Sequence, residues 1–343
     1  MLTGMLLGLL FISPVVFCYF LLIKAFDRYE PEPLWLLTLM FFWGALGATL
    51  TAIIGNGIGE AALSWALNAP SQAELVQMST ASFVAPLVEE STKGFGLLFL
   101  WGLSAVWLRE VDGPLDGAIY GGVVGLGFTL TEDILYVGSA TAKGGLVGFT
   151  AVFVLRTILA GLGHATFTAM TGVGIGLAVD SKSWLMKLVA VVGGWSAAVG
   201  LHFLHNFLVT FLLADGVGLI LKLLVFWTFD ALFFLLLLVL ALRDRAIVLR
   251  GLVDEVGRLL HPLEFDRTIS HWMLVPLWNT FTLLSSPAGY FAARRKQLAL
   301  VEVAFLKHRR RRGDSGAGLD SDERKLRERI AELNARGVFV GAR

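Results

Sequence analysis

The sequence predicts an all-α fold, a polytopic transmembrane helix bundle of about seven spans followed by a C-terminal cytoplasmic helical tail. Hydrophobic residues make up 56% of the 343 positions. Charged residues make up only 16%, below the roughly 25% that is usual in soluble domains. Several apolar stretches reach the length of about 20 residues that a helix needs to cross a hydrocarbon core of about 30 Å. An ordinary soluble globule and a disordered chain are therefore excluded.

The apolar stretches define a bundle over residues 1–242. Their approximate limits are 4–23, 34–57, 80–108, 117–138, 148–180, 188–213 and 217–242. The fifth stretch is longer than one straight crossing requires, and Gly161 and Gly163 divide it, so that either a tilted helix or two half-helices would fit. Small residues such as Gly121, Gly125 and Gly172 recur in the central stretches, which predicts closely packed helices.

Basic residues in the short loops predict that the N-terminus lies outside the cell membrane and the C-terminus inside. In that orientation the outside loops hold little more than Lys143. The inside loops hold more basic residues, as the positive-inside rule requires: Lys24, Arg28, Arg109, Lys182 and Lys187. We therefore expect a multi-pass integral protein of the cell membrane.

Residues 243–343 form a separate basic tail in this prediction. They hold 19 of the 28 basic residues of the chain and 12 of its 27 acidic residues. Because charges of both signs are interspersed, the tail is not expected to bind nucleic acid. A short helix is predicted near 321–335, after a disordered break near 313–319.

The central spans contain ionisable residues that a lipid-facing surface would not tolerate. An unpaired Asp, Lys or Arg near the bilayer centre costs about 2.5 to 3.5 kcal/mol, so these groups must face inward and be paired, hydrated or bound to a metal. They are Glu89, Glu90, Lys93, Glu132, Asp133, Arg156, His164, His202 and His205. A functional site is the default interpretation of such a set.

Two kinds of chemistry suit these residue types. In the first, Glu132, His164 and His202 bind a zinc ion, and Glu89 or Glu90 acts as general base. In the second, no metal is bound. One glutamate then activates water directly, while a histidine and Asn206 stabilise the oxyanion. Spacing alone does not separate the two.

Helical spacing also predicts several local contacts. Glu89 and Lys93 are four residues apart, so they share a helix face and can pair, while Glu90 is turned about 100° away and can address another helix. We expect Arg156 to pair with Glu132 or Asp133. His205 is expected to be a packed or hydrogen-bonded core histidine.

Four ordered motifs between residues 86 and 207 resemble those of the PrsW family of intramembrane proteases, distant relatives of the type II CAAX prenyl endopeptidases. The first is V-E-E-S-T-K at 88–93, and the second is D-G-A-I-Y-G-G-V-V-G-L-G-F-T-L-T-E-D-I-L-Y at 116–136. The third is G-H-A-T-F-T-A-M-T-G-V-G-I-G at 163–176, and the fourth is L-H-F-L-H-N-F at 201–207. The resemblance does not cover residues 243–343.

The resemblance implies an intramembrane endopeptidase that cleaves membrane-anchored proteins, such as anti-sigma factors, and its substrate is expected to be a single-span protein. It also implies that Lys93 orients or balances the glutamate pair and that Asn206 completes the last motif. This chain carries Asp133 where the family tends to have Asn. The essential groups by resemblance are Glu89, Glu90, Glu132, His164 and His202.

Two other functions remain open at this point. A proton- or ion-coupled transporter would also carry buried acids and histidines, although no inverted repeat is evident in the sequence. A noncatalytic membrane scaffold of the same fold would not need reactive residue types at all four motifs, yet they are present.

Overall fold

The computed structural model describes residues 1–67, 72–108, 110–211, 216–269, 286–313 and 317–341. Within these ranges the chain is almost entirely helical and forms no strand. Arg109, used above for orientation, and residues 314–316 of the predicted break lie outside the described residues. The all-α prediction is confirmed for the described part of the chain.

Twelve α-helices follow one another in chain order across the described ranges. The first six are α1 (Leu2–Lys24), α2 (Leu34–Phe42), α3 (Thr49–Ala66), α4 (Ala73–Ser79), α5 (Ala85–Leu103) and α6 (Pro114–Val152). The others are α7 (Gly163–Asp180), α8 (Trp184–Phe211), α9 (Gly216–Leu252), α10 (Pro262–Ile269), α11 (Pro287–Arg311) and α12 (Ala317–Ala335). Short π-helical turns occur at Trp43–Ala48, Thr80–Val84, Ser104–Leu108 and Phe153–Ile158.

Five helical segments are long and apolar enough to cross a membrane, so the chain is a multi-pass integral membrane protein. They are Leu2–Lys24, Leu34–Ala66, Pro114–Asp180, Trp184–Thr210 and Gly218–Glu255. Helix α5, within the third predicted stretch, is less apolar because it contains Glu89, Glu90 and Lys93. The count of seven spans and the orientation stay predictions.

The long segment Pro114–Asp180 is interrupted twice. Gly144 and Gly145 leave the helical conformation, and Gly145 has a φ of 58°, which a residue with a side chain rarely adopts. The second interruption lies at residues 159–162, between the π-helical turn Phe153–Ile158 and the start of α7. It confirms the predicted division near Gly161 and Gly163, and it places His164 in the first turn of α7.

Glycines hold α6 and α7 in close contact. Gly117, Gly121 and Gly125 are four residues apart and therefore lie on one face of α6. A methyl group added at Gly117 would overlap the backbone of Gly172, and one added at Gly125 would overlap the backbone of His164. The close approach that the sequence predicted is present, and it fixes the register of α7 against α6.

The chain divides into two compact units. The first contains residues 1–27 and 32–238, and the second contains residues 28–31 and 239–343. In the second unit, α11 contributes Leu300, Val303 and Ala304 to an apolar core. A buried ion pair joins Lys296 to Glu264 at 2.5 Å. The helix predicted near 321–335 is confirmed as α12.

Candidate active site

Four helices of the first unit bring the sequence-predicted site residues together. Helix α5 carries Glu89, Glu90 and Lys93, and α6 carries Glu132. Helix α7 carries His164, and α8 carries His202 and Asn206. A cavity of about 110 Å³ lies between these helices, and five of the seven residues line it: Glu89, Glu132, His164, His202 and Asn206.

Glu90 and Lys93 form a fully buried ion pair next to this cavity. Lys93 Nζ donates to Glu90 Oε1 at 2.6 Å, and both side chains are inaccessible to solvent. Lys93 Nζ also lies 3.0 Å from His164 Nδ1 and 4.1 Å from the ring centre of Phe128. The lysine therefore connects the glutamate of α5 to the histidine of α7.

The predicted pair between Glu89 and Lys93 is replaced by this pair between Glu90 and Lys93. Positions three apart share a helix face as well as positions four apart do, so spacing allowed both. Glu90 faces α7 and α8, where Thr168 Oγ1 donates to its Oε2 at 2.9 Å. Glu90 addresses other helices, as the spacing allowed, and Lys93 pairs with Glu90 in place of Glu89.

Glu90 also fixes the orientation of His202. His202 Nδ1 lies 3.0 Å from Glu90 Oε1. Because a carboxylate can only accept, Nδ1 carries the proton and Nε2 keeps its lone pair. His202 Nε2 faces Glu89 Oε2 at 3.9 Å. In a typical metal-binding histidine, one ring nitrogen donates its proton to a group such as a carboxylate, and the other ring nitrogen binds the metal.

Glu89 is buried, and only one of its oxygens has a hydrogen-bond donor. Asn56 Nδ2 of α3 donates to Glu89 Oε1 at 3.2 Å. Glu89 Oε2 is buried without a partner among the described residues. A buried carboxylate oxygen without a donor is costly, so this atom indicates a site for water or a cation.

Glu89, His164 and His202 could together hold a metal ion. Each offers one ligand atom, and these atoms lie within 4.8 Å of one another. Two imidazoles and one carboxylate are a frequent ligand set of catalytic zinc. The unpaired Glu89 Oε2 and the free Nε2 of His202 fit a cation between them. The donor set differs from the predicted one, in which Glu132 takes the place of Glu89.

Glu132 lies on the other side of His164. Its Oε2 is 2.7 Å from His164 Nε2 and accepts from Arg156 Nη2 at 2.7 Å. Arg156 Nε also donates to Asp133 Oδ1 at 2.9 Å. The guanidinium lies over the ring of Tyr136, 3.9 Å from its centre. The predicted pairing of Arg156 is confirmed with both acids, and its fork geometry fixes the Glu132 carboxylate.

His205 and Asn206 lie one turn beyond His202 on α8. The ring of His205 stacks on Phe226 with centroids 4.0 Å apart and contacts Phe167 edge-on. This packing agrees with the expected core histidine, although His205 also lines the cavity. Asn206 Nδ2 donates to Ala81 O at 2.9 Å and so connects α8 to the π-helical turn Thr80–Val84.

Asn56 and Thr168 were not among the site residues predicted from the sequence. Asn56 stands between Gly55 and Gly57 in the second apolar stretch. An uncharged amide among glycines is a weak signal, and only the fold shows that it contacts Glu89. Thr168 lies one helical turn after His164, on the face of α7 that meets Glu90.

Comparison with known proteins identifies one matching family. The profile of the PrsW family intramembrane metalloprotease matches residues 32–240, which is more than half of the chain. No curated protein and no solved structure matches the chain significantly. The matched range includes every predicted site residue.

Proposed function

The chain belongs to the PrsW family of intramembrane metalloproteases and is therefore an intramembrane protease; we propose that it cleaves single-span membrane proteins with a zinc ion held by Glu89, His164 and His202. The observation that carries the zinc assignment is the convergence of three donor atoms within 4.8 Å, one of them on a carboxylate with an unpaired oxygen. When bound, zinc supplies a Lewis acid that polarises water and the substrate carbonyl.

We assign orienting roles to the groups next to the cavity. Glu90 holds His202 by its Nδ1–H, and Lys93 donates to His164 Nδ1. The Glu90 carboxylate behind His202 strengthens ligand binding by Nε2, as in known metal sites. His164 Nδ1 is instead an acceptor, and its Nε2 lies 2.7 Å from Glu132 Oε2, so zinc at this nitrogen would take the place of the proton that His164 shares with Glu132. Both orienting residues are fully buried and do not line the cavity, which supports a role through the histidines.

We assign Glu132 as the group that accepts a proton from water. It lines the cavity and contacts His164. Arg156, which also lines the cavity, donates to Oε2 of this carboxylate and holds it in a fixed position. Asn206 also lines the cavity, and we assign its remaining amide N–H to the oxyanion that develops during peptide hydrolysis. The cavity of about 110 Å³ has room for several water molecules.

The proposed substrates are membrane-anchored proteins with one span, including anti-sigma factors. The site lies among helices that are long enough to cross a bilayer, so a substrate that is itself embedded in the membrane reaches it by lateral movement. In the proposed topology residues 1–242 form the protease bundle, with the N-terminus outside, and residues 243–343 form a cytoplasmic tail. Locating inserted tags with membrane-impermeant reagents tests that topology.

The zinc assignment is tested by elemental analysis of purified protein after a chelator wash and zinc reconstitution. We expect one zinc ion per chain in the parent protein. Glu89→Gln, His164→Ala and His202→Ala should lose both zinc and the cleavage of single-span proteins in liposomes. His205→Phe, the matched histidine control, should keep its zinc.

Glu132→Gln separates the two ligand sets. If Glu132 is the base, this variant retains zinc and loses cleavage. Loss of zinc from Glu132→Gln together with its retention in Glu89→Gln would restore the ligand set predicted from the sequence. Full cleavage by chelator-treated, zinc-free protein would instead support the glutamate mechanism without metal.

A further inference from the structure

A second, larger cavity opens from the candidate active site toward α3. It has a volume of about 320 Å³ and shares five lining residues with the first cavity: Ala81, Ala85, Glu89, Glu132 and Tyr136. We call it the α3 groove. The residues that line only the α3 groove come from α3, from α4 with the following π-helical turn, and from α6, and they include Ile53, Asn56, Glu60, Thr80 and Leu135.

The α3 groove contains unpaired polar atoms. Asn56 Oδ1, Thr80 Oγ1 and Glu89 Oε2 are buried atoms of groove residues, and none has a hydrogen-bond partner among the described residues. The orientation of the Asn56 amide is fixed, because only its Nδ2 can donate to the Glu89 carboxylate. Its Oδ1 therefore remains available as an acceptor. Glu89 Oε2 is assigned to the zinc ion above, so Asn56 Oδ1 and Thr80 Oγ1 are the two atoms that indicate a further polar ligand in the groove.

The close approach of α3 to α5 supports the groove. A methyl group at Gly55 would meet Val88, and one at Gly59 would meet Val84. These two glycines are four residues apart and let the helix backbone come near the side chains of its neighbour. Gly57, on another face, meets nothing within 4 Å. Asn56 is thus held beside Glu89 by packing of the helix that carries it.

We propose that the α3 groove binds an unwound, extended segment of the substrate next to the bond to be cleaved. This inference rests on the proposed function and names the part of the protein that receives the substrate. A peptide that leaves the helical state inside a membrane exposes N–H and C=O groups that must find new partners. The Asn56 oxygen is an acceptor for such an N–H, and the Thr80 hydroxyl serves either group.

Charge and composition favour a peptide over a lipid. Glu60 adds a negative charge to the groove, and no Lys or Arg is among its described lining residues, so an anionic phosphate headgroup finds no cationic side chain there. An acyl chain carries no group that pairs with Asn56 Oδ1 or Thr80 Oγ1. The uncharged peptide backbone meets both requirements, while Ile53 and Leu135 offer contacts to its apolar side chains.

Disulfide crosslinking tests the proposal. Cys18, the sole cysteine, is replaced by serine, and a new cysteine is placed at Ile53, which lines the groove, or at Ile54, which does not. The two isoleucines are neighbours on α3 and are 52% and 64% exposed. The probe is a synthetic Leu/Ala peptide of about 20 residues that spans the bilayer, with a central Gly-Ser interruption and one cysteine at successive positions.

Crosslinking is measured in liposomes with the cleavage site disabled by His202→Ala, a residue that does not line the groove. We expect Ile53→Cys to crosslink at least tenfold faster than Ile54→Cys, and only with cysteines near the interruption. A peptide of the same length without the interruption should crosslink slowly at both positions. Equal rates for the two variants, or preference for the uninterrupted peptide, would overturn the proposal.

The same proteins with His202 restored separate this inference from the proposed function. Cleavage of the interrupted peptide without selective crosslinking at Ile53→Cys would reject the groove and leave the protease assignment intact. Selective crosslinking without cleavage would support the groove as a peptide site and count against this peptide as a substrate. Reaction of Ile53→Cys with a thiol-reactive acyl lipid alone would identify a lipid site and reject the peptide.

Discussion

His202 Nδ1 lies 3.0 Å from Glu90 Oε1, and the same carboxylate oxygen accepts from Lys93 Nζ at 2.6 Å. One oxygen atom thereby sets the tautomer of a histidine on α8 and neutralises a buried lysine on α5. Glu90 thus acts behind the histidines, whereas its neighbour Glu89 faces the cavity. Because these adjacent glutamates have different partners, we expect their variants to differ in effect.

Glu90→Gln should reduce both stability and zinc affinity. The amide leaves Lys93 as a buried, unneutralised cation, and breaking a buried ion pair from one side costs about 3 to 5 kcal/mol. The amide oxygen can still accept from His202 Nδ1, but loss of the negative charge behind the ring should lower zinc affinity by about 10-fold. Thermal unfolding in detergent and zinc titration measure the two effects.

The double variant Glu90→Leu/Lys93→Met separates these effects. Removing both charges should recover most of the stability, because apolar replacements of a buried pair are often tolerated. Zinc affinity should stay low, since His202 still lacks its carboxylate. Recovery of zinc binding together with stability would show that Glu90 does not orient the histidine.

Arg156→Lys should lower cleavage by at least tenfold. The guanidinium donates to Glu132 and Asp133 through two different nitrogens and lies over the ring of Tyr136. A lysine ammonium lacks this planar fork and cannot reproduce both contacts in one geometry. The kinetic measurement is kcat/KM in liposomes, with zinc content as the check that the site is still assembled.

Asp133→Asn is the matched comparison for Arg156. It introduces the residue that the family tends to have, and its side-chain oxygen can still accept from Arg156 Nε. We expect kcat/KM to remain within about threefold of the parent, because the contact of Arg156 with Glu132 persists. A loss as large as that of Arg156→Lys would mean that the charge of Asp133 is itself required.

Gly172→Ala should destabilise the bundle, whereas Gly200→Ala should not. A methyl group at Gly172 would overlap the backbone of Gly117, and the helices can accommodate it only by separating. Such overpacking typically costs about 1 to 3 kcal/mol. Gly200 on α8 meets nothing within 4 Å, so alanine there should be neutral or stabilising by up to about 1 kcal/mol. Thermal unfolding of the two variants in the same detergent compares them directly.

Because α6 and α7 also carry Glu132 and His164, Gly172→Ala should reduce cleavage beyond its effect on stability. Cleavage at a temperature where the variant is fully folded measures this. Normal cleavage by a folded Gly172→Ala protein would contradict the view that this glycine contact sets the register of the two site residues.

The helical class and the residues of the candidate site could be predicted from the sequence, because both depend on composition and local pattern. Charges inside apolar stretches must converge, so Glu132, His164 and Arg156 were predicted to meet, and they do. Pairing within one helix was harder to predict. Lys93 can reach Glu89 or Glu90 by spacing, and the choice depends on Thr168 and His202, which approach from other helices.

Asn56 could not be found from the sequence for a related reason. The role of an amide in an apolar helix depends on the residue that it contacts. Asn56 contacts Glu89, which is 33 residues away in the sequence. The glycines beside it indicate close packing, but they do not show which helix packs there. Tertiary contacts of this kind require the fold itself.

Asn56→Leu should lower kcat/KM by tenfold or more while zinc content is retained. Leucine has a similar size, so packing of α3 is preserved, but it removes the donor to Glu89 Oε1 and the acceptor at Oδ1. A hydrogen bond to a charged group is worth about 1.5 to 3 kcal/mol, and each 1.4 kcal/mol is tenfold. Because Oδ1 is proposed to bind the extended substrate, much of the loss should appear as a raised KM.

Gly57→Ala, whose methyl group would face open space on the same helix, is the control. An unchanged KM with a lowered kcat would restrict Asn56 to positioning Glu89, and unchanged values of both would remove it from the site.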